Sequence, residues 1–372
     1  MSDESNFQRG SAGWGGDLDP VLHRIAELAT GRSTLRLLPA GGRLALALPS
    51  DSRAADTVID LYRPQRWKGR IFRLLSRMLV VSGMASRRPT FRGSSVEPAA
   101  TWLRSASKTG MVGFLGCNPV HGWRCVLAGV LPEDGSQFVA KLGLGEGAAG
   151  IRRESEILNA IHKTHPGVVR PIGLDGPAGA AEQGDDWALL RLAHLPGGSP
   201  GSMGEPDVAR LLAGWLGDEI TGLGEHAWSK KLLGRISADS APDGWHERML
   251  SRPIRRALVH GDFAVWNLRS ADGGLCAIDW EWAVESGIAG IDLVHGLRQE
   301  AVMVRGLKPD DAVEWMMHQA SSPGWAGYLE AAGWACDLRD CLRIGLLHSH
   351  FHTKNDSEAL LKVLGINVPI ES

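Results

Sequence analysis

Cysteine is scarce in this chain and forms no pattern: five residues, at 117, 125, 276, 336 and 341, with no Cys-x-x-Cys among them. An odd count without paired spacing speaks against a disulfide framework and suits a reducing compartment. An excess of charge of one sign is also missing. The 40 Lys and Arg stand against 42 Asp and Glu, a net charge of -2, so there is no general case for a nucleic-acid partner. Apolar runs are short, and none reaches the roughly 20 residues that a membrane-spanning helix needs. The first residues, Met1-Ser-Asp-Glu-Ser-Asn, are polar and acidic, unlike a secretory leader. A cytoplasmic protein is expected.

What is present is ample core material and one concentrated motif. A hydrophobic share of 44% over 372 residues can build two or three folding units. The motif is Leu258-Val-His-Gly-Asp-Phe-Ala-Val-Trp-Asn267, followed by Ala277-Ile-Asp-Trp-Glu281. Alone, His-Gly-Asp is ordinary turn chemistry, because Gly and Asp are turn formers. The Asn five residues after Asp262, and the second Asp twelve residues beyond that, make a set. In the protein-kinase loop the same Asp-to-Asn spacing separates the residue that receives the acceptor's proton from one that holds Mg²⁺. Phosphoryl transfer asks the protein mainly for alignment and charge neutralisation. Mg²⁺ takes hard oxygen ligands and keeps several waters, so one carboxylate and one amide oxygen suffice.

With Gly261 after His260, and Trp-Glu after the metal aspartate, the pattern resembles the aminoglycoside phosphotransferase and choline kinase family. That resemblance implies a bilobal protein-kinase-like fold of the α+β class, with a β-rich N-lobe and a mainly helical C-lobe. It implies ATP and Mg²⁺ as cofactors and a small-molecule hydroxyl as acceptor. Asp262 would be catalytic, and Asn267 and Asp279 would bind the metal.

A kinase-like chain needs a lysine on a strand and a glutamate on the next helix. Ser136-Gln-Phe-Val-Ala-Lys-Leu-Gly143 supplies the strand, close to the Val-Ala-Ile-Lys pattern. Thirteen residues beyond Lys141, Glu154 lies in Ile151-Arg-Arg-Glu-Ser-Glu-Ile-Leu-Asn-Ala-Ile161, whose apolar residues share a helix face. Glu154 stands where the resembled family carries its lysine-pairing acid, and Glu156 is the alternative, expected to face solvent. A lone lysine would more often snorkel at the surface. Trp187 to Gly197 ends in Leu-Pro-Gly, as at the interlobe hinge of that family, so the backbone of Ala193 and Leu195 would meet the adenine. The turn Gly116-Cys-Asn-Pro-Val-His-Gly122 departs from Gly-x-Gly-x-x-Gly and would be ordinary hairpin chemistry elsewhere. Asp292 could brace the catalytic loop through backbone N–H groups or cap the helix that follows it.

Along the chain, residues 1–16 read as a disordered tail. Residues 17–105 read as an accessory α/β segment with a helix from Asp19 to Ala29 and strands near 34–38, 43–48 and 57–62. Residues 106–195 would be the N-lobe and 196–372 the C-lobe, joined by a flexible Gly197–Ser202 stretch and opening with helices over 206–222 and 226–237. Segment 63–92 carries nine basic residues and no acid, with Ile71, Phe72, Leu75 and Leu79 at helical spacing. Packing of that apolar face is the expectation. Peripheral contact with the inner face of a membrane is the alternative, and it would suit a lipid-linked acceptor. The histidines of His348-Ser-His-Phe-His352 sit on a helical pattern, where residues two apart diverge, so zinc is not expected. The acceptor expected first is a sugar or glycan, since tryptophan-rich sites stack on sugar faces and the chain has 14 tryptophans. An aminoglycoside or a choline-like head group comes next. The competing class is a catalytically silent binding module on the same scaffold.

Overall fold

The computed structural model describes residues 137–144, 146–175, 187–237, 240–271, 273–335, 337–352 and 357–368. Before them it describes 34–38, 46–48, 59, 71, 73–78, 87–89, 113–115 and 123–130. The fold is α+β, and among the described residues the ladders between named strands are all antiparallel. Chain contacts divide it into two compact units, the first running to Glu156 and including Arg170–His194, the second made of Ile157–Val169 and the chain from Leu195 onward.

The first unit is built on one eight-stranded sheet. Its strands are β1 (Thr34–Leu38), β2 (Leu46–Leu48), β3 (Arg87–Pro89), β4 (Gly113–Leu115), β5 (Trp123–Val130), β6 (Gln137–Leu144), β7 (Pro171–Asp175) and β8 (Trp187–Ala193). The spatial order is β3-β1-β2-β4-β5-β6-β8-β7, so strands from 17–105 and from 106–195 share a single sheet. Helix α1 (Glu146–Ile161) follows β6. Central β6 alternates, with Phe138, Ala140 and Leu142 buried on one side and Val139 and Lys141 partly exposed on the other. That period of two is what places the lysine on a definite face.

Several expectations for the N-terminal segment meet the structure there. β1 spans the expected strand and β2 only the end of one. Ile59, expected in a third strand, is helical and buried. Residues 71 and 73–78 are helical, but Ile71 and Leu75, expected to pack, are exposed. Ile71, Leu74, Leu75 and Met78 are 46, 60, 51 and 60% exposed, while Ser76 is buried. The residues at i, i+3, i+4 and i+7 form a stripe turned to water. Phe72 and Leu79, the 1–16 tail, the 19–29 helix and the 116–122 turn lie outside the described residues.

The second unit is mainly helical. It contains α2 (Pro206–Ala213), β9 (Leu216–Gly222), α3 (Ala227–Leu233), α4 (Trp245–Ser251), β10 (Pro253–Val259), the hairpin β11 (Leu268–Ala271) and β12 (Gly274–Ala277), and β13 (Val284–Ile288). Helices α5 (Ile291–Arg298), α6 (Pro309–Ala320), α7 (Pro323–Ala332), α8 (Leu338–His352) and α9 (Glu358–Val363) complete it. β10 lies between β9 and β13. The helix expected over 206–222 stops at Ala213, and 216–222 is a strand. The reason is pairing: Ile254 faces Thr221 and Arg255 faces Ile220 across the β9–β10 ladder, and β9 is a largely exposed edge. Long-range partners overrode a weak local helix preference. At the start of the expected Gly197–Ser202 junction the backbone runs close against β11. A Cβ on Gly197 would overlap the Ser270 carbonyl oxygen, and Ser270 N–H donates to the Gly198 carbonyl at 2.8 Å.

Five tryptophans, at 215, 245, 280, 325 and 334, are fully buried in this unit. A buried indole N–H needs an acceptor. Trp215 donates to the Pro166 carbonyl, Trp280 to Ala277, Trp334 to Ala289 and Trp245 to the Asp340 carboxylate, each at 2.8 or 2.9 Å. His348 packs its ring 4.9 Å from that of Trp228. Among the described residues no group of three His, Cys, Asp or Glu is placed to hold a metal.

Candidate active site

The second unit assembles one loop system from β10, the β11–β12 hairpin and α5. The apolar end of β10 buries Ala257, Leu258 and Val259 and delivers His260-Gly-Asp262 at its C-terminus. Gly261 has φ 85°, and a Cβ there would lie 2.6 Å from the Trp282 carbonyl oxygen. The position therefore requires glycine. A 3₁₀ turn, Val265–Asn267, then leads into β11.

The hairpin brings the two candidate metal ligands to the same end. Leu268 pairs with Ala277, and just beyond them Ile278 N–H donates to the Asn267 carbonyl at 2.8 Å. Asp279 is the next residue. It has φ 73°, and among the described residues it is the one non-glycine at positive φ. Asp tolerates that region better than most residues, but holding it there still requires support. Support comes from below, where Trp280 sits 5.0 Å from Trp215 and 4.7 Å from the His260 ring.

His260 ties the two loops together. Its Nδ1 accepts the Asp262 backbone N–H at 3.3 Å, which leaves Nε2 to donate to the Ile278 carbonyl at 2.8 Å. The ring is wholly buried, so its role is structural. Asp292 settles between its two readings. Its Oδ2 accepts His260 N–H at 2.7 Å and its Oδ1 accepts Gly261 N–H at 3.0 Å. Helix α5 has Gly290 at its N-cap and no side-chain cap bond. Asp292 thus braces the loop. Burial pushes its carboxyl above the usual range, opposed by His260, the two N–H donors and His295.

Asp262 is itself held on both oxygens. Asn267 Nδ2 donates to Oδ2 at 3.1 Å and to the Asp262 carbonyl at 2.8 Å. His295 Nε2 lies 3.0 Å from Oδ1. The Asp262 side chain keeps 33% of its surface exposed, so a substrate hydroxyl can reach it. With its amide nitrogen turned to Asp262, Asn267 presents its amide oxygen away from that carboxylate. One amide oxygen and the Asp279 carboxylate are hard donors, which fits Mg²⁺ bound largely through water and substrate phosphate. They do not make an all-protein cage.

In the first unit, Lys141 on β6 meets Glu154 on α1. Nζ lies 2.7 Å from Oε1 and 2.6 Å from Oε2, with side-chain exposures of 14% and 1%. Glu156 is exposed. The choice between the two acids follows from the helix face: Ile151, Leu158 and Ile161 are buried with Glu154. Removing one partner of such a buried pair typically costs about 3–5 kcal/mol. At the end of β8, Ala193 N–H already donates to the Arg170 carbonyl at 3.0 Å. Any contact from Ala193 to a base therefore falls to its carbonyl. Leu195, in the second unit, is half-buried.

Two further residues of the site carry no motif. His295, on α5, reaches Asp262 across 33 residues of sequence. Arg269 is buried, and its Nη1 donates to the carbonyls of Trp266 and Leu268 at 2.7 and 2.8 Å and to Ser199 Oγ at 2.9 Å, clamping the end of the loop. An arginine two residues after Asn267 gave a hint of this, being an odd residue in an apolar hairpin; nothing near His295 did.

No protein-family model and no curated protein sequence matches the chain. Among solved structures it is similar to an aminoglycoside phosphotransferase from Streptomyces rimosus, at 16% identity and a TM-score of 0.38, over 68% of this chain and 93% of that one. A glucosamine kinase in complex with glucosamine, ADP and inorganic phosphate matches at 16% identity and a TM-score of 0.37, over 76% and 84%. An ethanolamine kinase from Plasmodium vivax matches at 9% identity and a TM-score of 0.34, over 72% and 92%.

Proposed function

We propose that this chain is an ATP- and Mg²⁺-dependent phosphotransferase that moves the γ-phosphate to a hydroxyl of a small molecule, first among them a sugar or glycan. The observation that carries the reading is the Asp262–Asn267–Asp279 arrangement. A one-third-exposed carboxylate is fixed at both oxygens, while Asn267 and the residue before Asp279 are joined by a backbone hydrogen bond at the end of one hairpin. Bound there, Mg²⁺ would offset charge on the triphosphate. Asp262 orients the acceptor hydroxyl, whose oxygen bonds to the γ-phosphorus as the β–γ bridging oxygen departs with ADP; the hydroxyl proton passes to Asp262. Lys141, held by Glu154, would meet the α- and β-phosphates. Incubating the protein with labelled ATP, Mg²⁺ and a panel of sugars, aminoglycosides and amino alcohols tests this. We expect Mg²⁺-dependent label in a sugar ester first, and transfer to choline-like compounds alone would move the acceptor class.

The exposed stripe Ile71, Leu74, Leu75 and Met78 favours a peripheral membrane role for 63–92, where nine basic residues accompany it. Each basic side chain near an anionic leaflet adds about 1 kcal/mol of attraction. The protein should sediment with phosphatidylserine vesicles at low salt, and Leu74→Glu with Leu75→Glu should release it. Binding that ignores both salt and the double substitution would refute the contact.

A further inference from the structure

We propose that His295 is a positioning residue for phosphoryl transfer, donating through Nε2 to Asp262 and so fixing the carboxylate that receives the acceptor; the inference rests on the reading above.

Helix α5 touches the catalytic loop at two places from one face. Asp292 takes the backbone N–H groups of His260 and Gly261, and His295, three residues on, reaches the Asp262 side chain. Residues at i and i+3 lie on the same side of a helix. One rigid element therefore sets both the loop's path and the orientation of its carboxylate.

The hydrogen-bond chain fixes the tautomer. An ionised carboxylate only accepts, so the 3.0 Å contact requires a hydrogen on Nε2. In neutral imidazole Nδ1 then accepts, and the Ser349 hydroxyl of α8, 3.3 Å away, can donate to it. The Gln299 amide nitrogen approaches the same Nε2 at 3.2 Å. Two donors cannot face each other there, so with the hydrogen committed to Asp262 the Gln299 amide turns its oxygen inward. The opposite tautomer would accept from Gln299 and leave Asp262 unsupported on that side. An Asp-His-Ser chain also invites comparison with a hydrolase triad, but Ser349 and His295 are both 0% exposed. A serine that no substrate can reach is not a nucleophile.

Asp262 then holds two donors and still has lone pairs for an incoming hydroxyl, because a carboxylate offers about four such sites. Without His295 the carboxylate would swing about the single bond to Asn267. Misplacing a reacting group by about 1 Å costs on the order of 100-fold.

The test has two arms. Long-range proton–nitrogen NMR of histidine-labelled parent protein reads the tautomer, with the His295 signal assigned by its loss in His295→Gln and its shift in Asp262→Asn. We expect the Nε2–H form, and an Nδ1–H form overturns the proposal without touching the phosphotransferase reading. In the second arm, His295→Leu should lower kcat by about 100-fold with KM for ATP unchanged, and His295→Gln, which restores a donor, should recover much of the loss. Equal losses in both folded variants, or a change confined to KM, would mean packing alone. A parent protein that transfers no phosphate while showing the Nε2–H tautomer would instead fault the phosphotransferase reading.

Discussion

Replacing Asp262 with Asn is expected to lower turnover by about 100-fold or more, the range for a positioned general base, while ATP affinity stays close to that of the parent. The substitution keeps the shape and one acceptor oxygen but removes charge and basicity. It also disturbs the donor pattern. Asn267 Nδ2 and His295 Nε2 both now point at Asp262 oxygens, at 3.1 and 3.0 Å, and an amide can satisfy just one of them with its oxygen. The amide nitrogen would oppose the other donor, so the side chain must turn. Steady-state kinetics with the best acceptor of the panel checks this, and near-parental kcat would place the base elsewhere.

Substitution at Asp279 should act on the nucleotide instead. Asp279→Asn keeps a residue that tolerates φ 73° yet removes the hard anionic ligand, and nucleotide affinity should fall to the level measured without Mg²⁺. Asp279→Ala should do the same and also lose about 1–2 kcal/mol of stability, since a Cβ without a local polar partner disfavours the left-handed region. Comparing the two variants by thermal denaturation and nucleotide titration separates metal loss from strain. An Asn variant that binds Mg-ATP as tightly as the parent would remove Asp279 from the metal site.

Much of this arrangement was legible from spacing because it is local. The β11–β12 hairpin makes Asn267 and Ile278 neighbours, so two motifs twelve residues apart had to meet. The choice of Glu154 over Glu156 came from the resemblance, and the helix face agrees with it, since Glu154 is buried with Ile151 and Leu158. His295 was not legible. Its link to Asp262 depends on how α5 packs against the end of β10, and Leu-Val-His-Gly-Leu reads as any buried helix. Strand β9 was misread as helix for a related reason. Leu211, Leu212 and Trp215 continue a helical rhythm, and the pairing with β10 that ends it comes from residues more than thirty positions later. Ile71 and Leu75 are exposed where packing was expected, because periodicity identifies a face without saying what covers it. A backbone contact to a base, as expected at Ala193 and Leu195, would leave no mark on side-chain identity.

If Asp262, Asn267 and Asp279 work on a magnesium-bound nucleotide, calorimetric titration of the parent protein with ATP, with and without Mg²⁺, will read it out. Binding should be tight with Mg²⁺ and much weaker without it, and the Mg²⁺ effect should vanish in Asp279→Asn. ATP binding that is indifferent to Mg²⁺, or absent under both conditions, would contradict it.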